Sequence, residues 1–219
     1  MKSLSCTRAL AFAGVLMALA GCARSPSAEA ASTASLFQGF DPAQDCRNDL
    51  GQPTRIVNGA SRPNKQWEAD NLVMVALPWQ AHAAWNAHLA IKGLQVHRRV
   101  AVSLQRALAD IWTDAGKSQS EIDRVGMSSI GGAFNWRPVR GAGDMSAHAY
   151  GCAVDFDPAR NVLGSQASNF AEPGNRYVID DFRKEGWIWG GIWPRPDGMH
   201  FQATSVAISD ETTGANRRA

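Results

Sequence analysis

The chain has 219 residues, 45% of them hydrophobic and 19% charged, and its 22 Lys+Arg against 20 Asp+Glu give a formal net charge of +2. That is enough chain for one domain with a real core. No basic run is interleaved with aromatic residues, which argues against nucleic acid as a partner.

At the start, Lys2 and Arg8 give a short basic region before an apolar run, Ala9 to Ala20, that is too short to span a bilayer comfortably. The run ends in Leu19-Ala20-Gly21-Cys22, which resembles the lipobox of bacterial lipoproteins, whose cysteine is acylated after cleavage just before it. The resemblance implies a signal peptide over residues 1–21 and lipidation of Cys22. An ordinary secretory signal or an uncleaved anchor is the alternative. Ala23 follows the cysteine where an Asp would favour inner-membrane retention, so the expected location is the periplasm, with the outer membrane favoured and acyl chains as the anchor. Residues 22–40, including the small and polar ARSPSAEAASTA, read as the lipidated cysteine and a flexible tether. Residues 41–208 are the expected folded domain, and the polar residues 209–219 a disordered tail. Loss of Lys2 and Arg8 with the signal lowers the basic count from 22 to 20, equal to the 20 acidic residues, so the exported chain is neutral.

Of the four cysteines, Cys6 falls in the signal and Cys22 at the lipidation site, which leaves Cys46 and Cys152. Two thiols in an oxidising compartment suggest one disulfide between the N-terminal arm and the motif region; two separately buried thiols are the alternative.

Along the domain, Leu72 to Leu77 is a short apolar run stopped by Pro78 and predicts a buried strand. His82 and His88 follow in a weakly helical stretch, six apart and therefore on different faces. Val96, Val100, Leu104, Leu108 and Ile111, with Ala107 beside them, form the apolar stripe of a helix that Ala115-Gly116 closes. His97 is read as a surface or packing residue of that helix. Beyond Gly126 the chain predicts short strands and glycine-rich turns: Gly131 to Pro138, Cys152 to Phe156 ended by Pro158, and Met199 to Ala203, with Trp187 to Trp193 in the same sheet and a short helix from Tyr177 to Lys184. Helix first and strands later, without regular alternation, predicts an α+β fold.

On the strand after Gly151, Ala153, Asp155 and Asp157 share one face and Cys152, Val154 and Phe156 the other, so the Asp155 face has small neighbours and room for an ion. His148 lies seven residues before Asp155, close enough to fold over that face. His200 and Gln202 share one face of the last strand.

The spacing S-x-H-x-x-G-x-A-x-D over Ser146–Asp155, followed by D-x-x-H-F over Asp197–Phe201, resembles the zinc D-alanyl-D-alanine carboxypeptidases and L-alanyl-D-glutamate endopeptidases. The likeness extends to Asn135-Trp136-Arg137-Pro138 and to Gly186 through Trp193, and spans roughly residues 72–202. It implies a single domain of the hedgehog/D-Ala-D-Ala-peptidase fold, a small mainly antiparallel sheet packed against helices. It further implies one zinc ion (Zn2+) per chain held by His148, Asp155 and His200, with water in the fourth position. Asp197 takes the position of the family's general acid/base and Arg137 that of its carbonyl and oxyanion stabiliser; a turn residue and a structural salt bridge are the respective alternatives. Ser146 is expected to bind substrate or to cap the ligand turn. Asp157 is the rival ligand on the Asp155 face, with outer support of the site or a turn into solvent as its other reading. Glu185 could supply a second carboxylate or be a solvated helix end. The tryptophans 136, 187, 189 and 193 are read as core and cleft-wall packing in preference to sugar stacking.

Together these readings predict a monomeric periplasmic lipoprotein that cleaves the peptide stems of peptidoglycan. Asp in the D-x-x-H motif resembles the L-alanyl-D-glutamate endopeptidase branch more closely. A D-alanyl-D-alanine carboxypeptidase or D,D-endopeptidase, or a non-hydrolytic zinc-stabilised wall-binding lipoprotein, is the alternative.

Overall fold

Residues 45–139 and 144–208 are described by a computed structural model of the protein. The anticipated signal, the lipidation site Cys22, the tether, residues 41–44 of the domain and the tail lie outside the described residues. What is described is an α+β unit of eight strands and four α-helices, as the chain's organisation predicts. Among the described residues no helix is long and apolar enough to cross a membrane.

A two-residue turn builds the first element. Strands β1 (Thr54–Val57) and β2 (Ala60–Pro63) pair antiparallel around Asn58 and Gly59, which stand at φ 52° and 75° as a tight hairpin turn requires. Helix α1 (Lys65–Asn71) starts at Asn64, whose side chain accepts from the Trp67 backbone N–H, and it buries Trp67.

Strands β3 (Leu72–Ala83) and β4 (Asn86–His97) then form a long antiparallel hairpin. The expected stop at Pro78 is corrected here. The ladder to β4 lapses between Ala76 and Ala81, so proline sits where no N–H is required, and the strand resumes beyond it. The helical reading of His82 and His88 is also corrected, since both lie in this hairpin. Local alanine-rich propensity yields to pairing with β4 and, at His82–Ala83, with β5.

The predicted apolar stripe is the buried face of α2 (Arg98–Asp114), where Val100, Leu104, Ala107, Leu108 and Ile111 are all inside. Val96 belongs to the end of β4 instead, and His97 is the residue that caps the helix. His97 is 1% exposed, packs against Trp67 at a ring separation of 5.6 Å, and accepts from the Arg99 N–H through Nδ1. Burial, reinforced by the charges of Arg99 and Arg98, pushes its pKa down to about 4, so it stays neutral and keeps the lone pair that caps α2.

Helix α3 (Gln119–Val125), capped by Ser118 and ended by Gly126, leads into β5 (Ser129–Gly132), which begins two residues earlier than the strand read from sequence and ends before Asn135. Strand β6 (Ala153–Phe156), helix α4 (Tyr177–Lys184), β7 (Trp187–Trp189) and β8 (His200–Ala203) complete the unit. The six-stranded sheet runs β4-β3-β5-β6-β8-β7, antiparallel throughout except for the short β3/β5 contact.

Behind β6 and β8 lies an aromatic core. Phe182 of α4 stacks on Phe201 at 4.1 Å, and Phe156, Phe170 and Trp187 close around them. Each such ring buried contributes about 1.5–3 kcal/mol, which holds the back of the two strands rigid and frees their front for polar chemistry. Trp187 loses no hydrogen bond in the core, because its indole N–H donates to Ser103 Oγ of α2 at 3.0 Å.

Candidate metal centre

Register places the predicted ligands. In the β6/β8 ladder Asp155 is the direct partner of His200, Val154 of Phe201 and Ala153 of Gln202. Asp155 and His200 therefore stand side by side on the front face, while Val154 and Phe201 face the aromatic core. His148 reaches the same point from a turn of 3-10 helix, Ala147–Tyr150, which precedes β6.

Two residues make that turn. Ser146 starts it, its hydroxyl accepting from the His148 backbone N–H at 3.4 Å, so the capping role is the one seen, on the wall of the cleft. Gly151 ends it at φ 67°, and its carbonyl accepts from the His97 N–H at 2.8 Å. A Cβ on Gly151 would stand 2.7 Å from the His97 nitrogen, so the glycine of the motif is required by backbone contact as well as by conformation.

The ligand atoms of His148, Asp155 and His200 lie within 4.8 Å of one another. Asp155 Oδ1 is 2.9 Å from His200 Nδ1, Asp155 Oδ2 is 3.2 Å from His148 Nε2, and the two ring nitrogens are 3.2 Å apart. The outer nitrogens fix the tautomers. His148 Nδ1 is 2.7 Å from the Ala133 carbonyl, which can only accept, so Nδ1 carries the hydrogen and Nε2 turns a lone pair inward. His200 Nε2 is 3.4 Å from Gln202 Oε1, and that amide is oriented by its own donation to Asp45 Oδ1 at 3.5 Å. Nε2 is then the donor and Nδ1 faces the cluster. Two imidazole lone pairs and a carboxylate aimed at one point can hold a cation, and a nitrogen, nitrogen and oxygen donor set suits zinc. Burial alone would raise the Asp155 pKa, but His148 and His200 outweigh it and hold the carboxylate far below its usual range. Burial would likewise lower that of His200, yet Asp155 and the Asp197 charge leave it raised. The residues fit a metal ion.

Asp197 stands beside the cluster on the turn before β8. Its backbone N–H donates to Gly190 O at 2.9 Å and its carbonyl accepts from His200 N at 3.1 Å. Trp189 supports the turn from below, its indole N–H donating to Gly198 O at 2.7 Å, and Trp193 lies against the His200 ring at 5.2 Å. Asp197 Oδ1 is buried and makes no hydrogen bond among the described residues. Burial raises its pKa, and the Asp155 charge adds to this against the pull of His200, His148 and Arg137. Arg137 lines the same cleft, a cavity of about 710 Å³ that also takes in Trp193, Arg195 and Leu163.

Several candidates are not part of this cluster. Asp157 leaves the strand at φ 48°, and its buried carboxylate is bound by Asn161, Asn169 and Arg160, so neither the rival-ligand reading nor the outer-support reading holds. Glu185 pairs with Arg106 at 3.6 Å. Trp187 is core, as read, and Trp136 donates to Thr54 Oγ1. Cys46 and Cys152 form a disulfide, the first of the two readings. Sequence reasoning noted Gln202 only as a neighbour of His200, and the contributions of Asp45 and the Ala133 carbonyl escaped it. The shared strand face of His200 and Gln202 was the available signal for the first of these.

Residues 140–203 match a family model described as D-alanyl-D-alanine carboxypeptidase. The matched segment holds His148, Asp155, Asp197 and His200, and Arg137 lies just before it. The match supports a peptidase, and the histidine-aspartate-histidine group in it can hold a metal. No curated protein and no solved structure matches the chain.

Proposed function

We propose that the chain is a zinc-dependent peptidase of peptidoglycan peptide stems, held at a periplasmic membrane surface through lipid on Cys22, and that it cuts the bond between L-Ala and D-Glu. The observation that carries this reading is the meeting of two inward imidazole lone pairs, the Asp155 carboxylate and the unpartnered buried oxygen of Asp197 at one end of an open cleft. Bound by His148, Asp155 and His200, a zinc ion would supply Lewis acidity and lower the pKa of water there toward about 7.

The chain's own groups do the rest. Asp197 takes a proton from the attacking water as its oxygen bonds to the carbonyl carbon, and returns that proton to the amine nitrogen as the C–N bond breaks. A raised pKa suits a carboxyl that must hold the proton between those steps. Arg137, permanently charged and in the same cleft, offers its donors to the carbonyl oxygen as negative charge develops there. Trp193 and the buried strand face behind His200 keep bulk water from the ligands.

Digestion of purified sacculi with the zinc-loaded soluble form, followed by mass spectrometry, tests this. Fragments with new D-Glu amino termini are expected. Release of free D-Ala instead would assign the carboxypeptidase bond, and no product at all would overturn the hydrolase reading.

A further inference from the structure

On one side of the metal centre, buried polar groups continue to the N-terminal arm. His200 Nε2 faces Gln202 Oε1, and Gln202 Nε2 donates to Asp45 Oδ1. Asp45 is in turn held by Arg47, whose backbone N–H donates to Oδ1 at 2.9 Å and whose Nε donates to Oδ2 at 2.8 Å. Arg47 Nη1 reaches on to the Met145 carbonyl at 3.1 Å, at the start of the turn that carries His148. His200, Gln202 and Asp45 are 6%, 5% and 3% exposed.

We propose that Gln202 and Asp45 are positioning residues for His200, a relay that fixes its tautomer and ring orientation for the metal. The proposal rests on the metal-centre reading above. An amide alone can present either end to the imidazole. Presenting Nε2–H would leave His200 Nε2 as the acceptor and put its proton on Nδ1, where the metal must bind. Asp45 removes that choice, because a carboxylate accepts only and so turns the amide nitrogen toward itself. The arm is brought to this place by three separate ties: the Cys46–Cys152 disulfide, the Asp45–Thr204 bridge beside β8, and the Arg47 contact to Met145. Gln202 is opposite Ala153 on the front of the strand. A buried amide at this position is accounted for by its two polar partners.

The test is the zinc dissociation constant, read by competition with a chromophoric chelator, for the wild type and for His200→Ala, Gln202→Leu and Gln202→Glu. Near-UV circular dichroism confirms that each is folded. Gln202→Leu should bind zinc about 10–100-fold more weakly. Gln202→Glu keeps an acceptor facing His200 in a side chain of the same shape, and should stay within about threefold of the wild type. Gln202→Leu within about twofold of the wild type would overturn the relay, as would equal weakening in both variants, which would mark a packing role. Retention of a full equivalent of zinc by His200→Ala would overturn the metal-centre reading itself.

Discussion

The Cys46–Cys152 disulfide joins residues 106 apart and links the arm that carries Asp45 to the segment between His148 and Asp155. Its removal should therefore act on the unfolded chain first. For a closed loop of about this length, chain entropy gives about 4.7 kcal/mol of stabilisation, and measured disulfides in comparable settings usually give about 2–4. Both cysteines are fully buried, so Cys46→Ala/Cys152→Ala adds a small packing loss, and chemically reduced wild type is the cleaner comparison. Urea unfolding followed by the fluorescence of the eight tryptophans, in the presence of a chelator so that metal binding does not contribute, reads the difference. The expected loss is about 2–5 kcal/mol. With m near 2–3 kcal/mol/M the midpoint falls by about 1–2 M, and m itself rises because the uncrosslinked chain exposes more surface. A loss under about 1 kcal/mol with m unchanged would refute the reasoning.

Three other outcomes follow from the geometry. His97 has its pKa pushed down to about 4 in the folded state against 6.5 for the free group, so its contribution is complete above pH 6.5 and is lost as pH falls from 6.5 toward 4. At about 1.4 kcal/mol per pH unit this amounts to about 3.5 kcal/mol at most; His97→Asn, which keeps a capping acceptor but does not titrate, should lack that component of acid destabilisation when unfolding is compared at pH 7 and 4.5. Gly151→Ala should cost about 2–4 kcal/mol in urea unfolding, since it forces a Cβ both into the left-handed region and against the His97 backbone nitrogen. Asp197→Asn should retain zinc at full stoichiometry while kcat on wall peptides falls by about 10²–10⁴; a fall of less than tenfold would remove Asp197 from proton transfer.

Much of this architecture was legible from residue pattern because short-range chemistry decided it. The α2 stripe, the Tyr177–Lys184 helix with Gly186 behind it, and the alternation that sends Asp155 forward and Phe156 back all depend on neighbours in sequence. What escaped depended on partners far away. Leu72–Ala83 crosses Pro78 because β4 and β5 accept the interruption, and residues 81–83 and 86–90 are extended because the sheet pairs them. Asp157 was placed beside Asp155 by counting alternate residues, and a positive φ at Asp157 ended that count. At the site, ligand identities followed from motif spacing, but the support of His200 by Gln202 and Asp45 joins positions 157 residues apart and became visible only with the fold.

Zinc K-edge X-ray absorption on the chain loaded with one equivalent of zinc tests the metal centre most directly. The arrangement of His148, Asp155 and His200 predicts a nitrogen and oxygen shell at about 2.0–2.1 Å, outer scattering from two imidazoles, and no sulfur near 2.3 Å. A sulfur shell, or a spectrum left unchanged by His148→Ala, would contradict it.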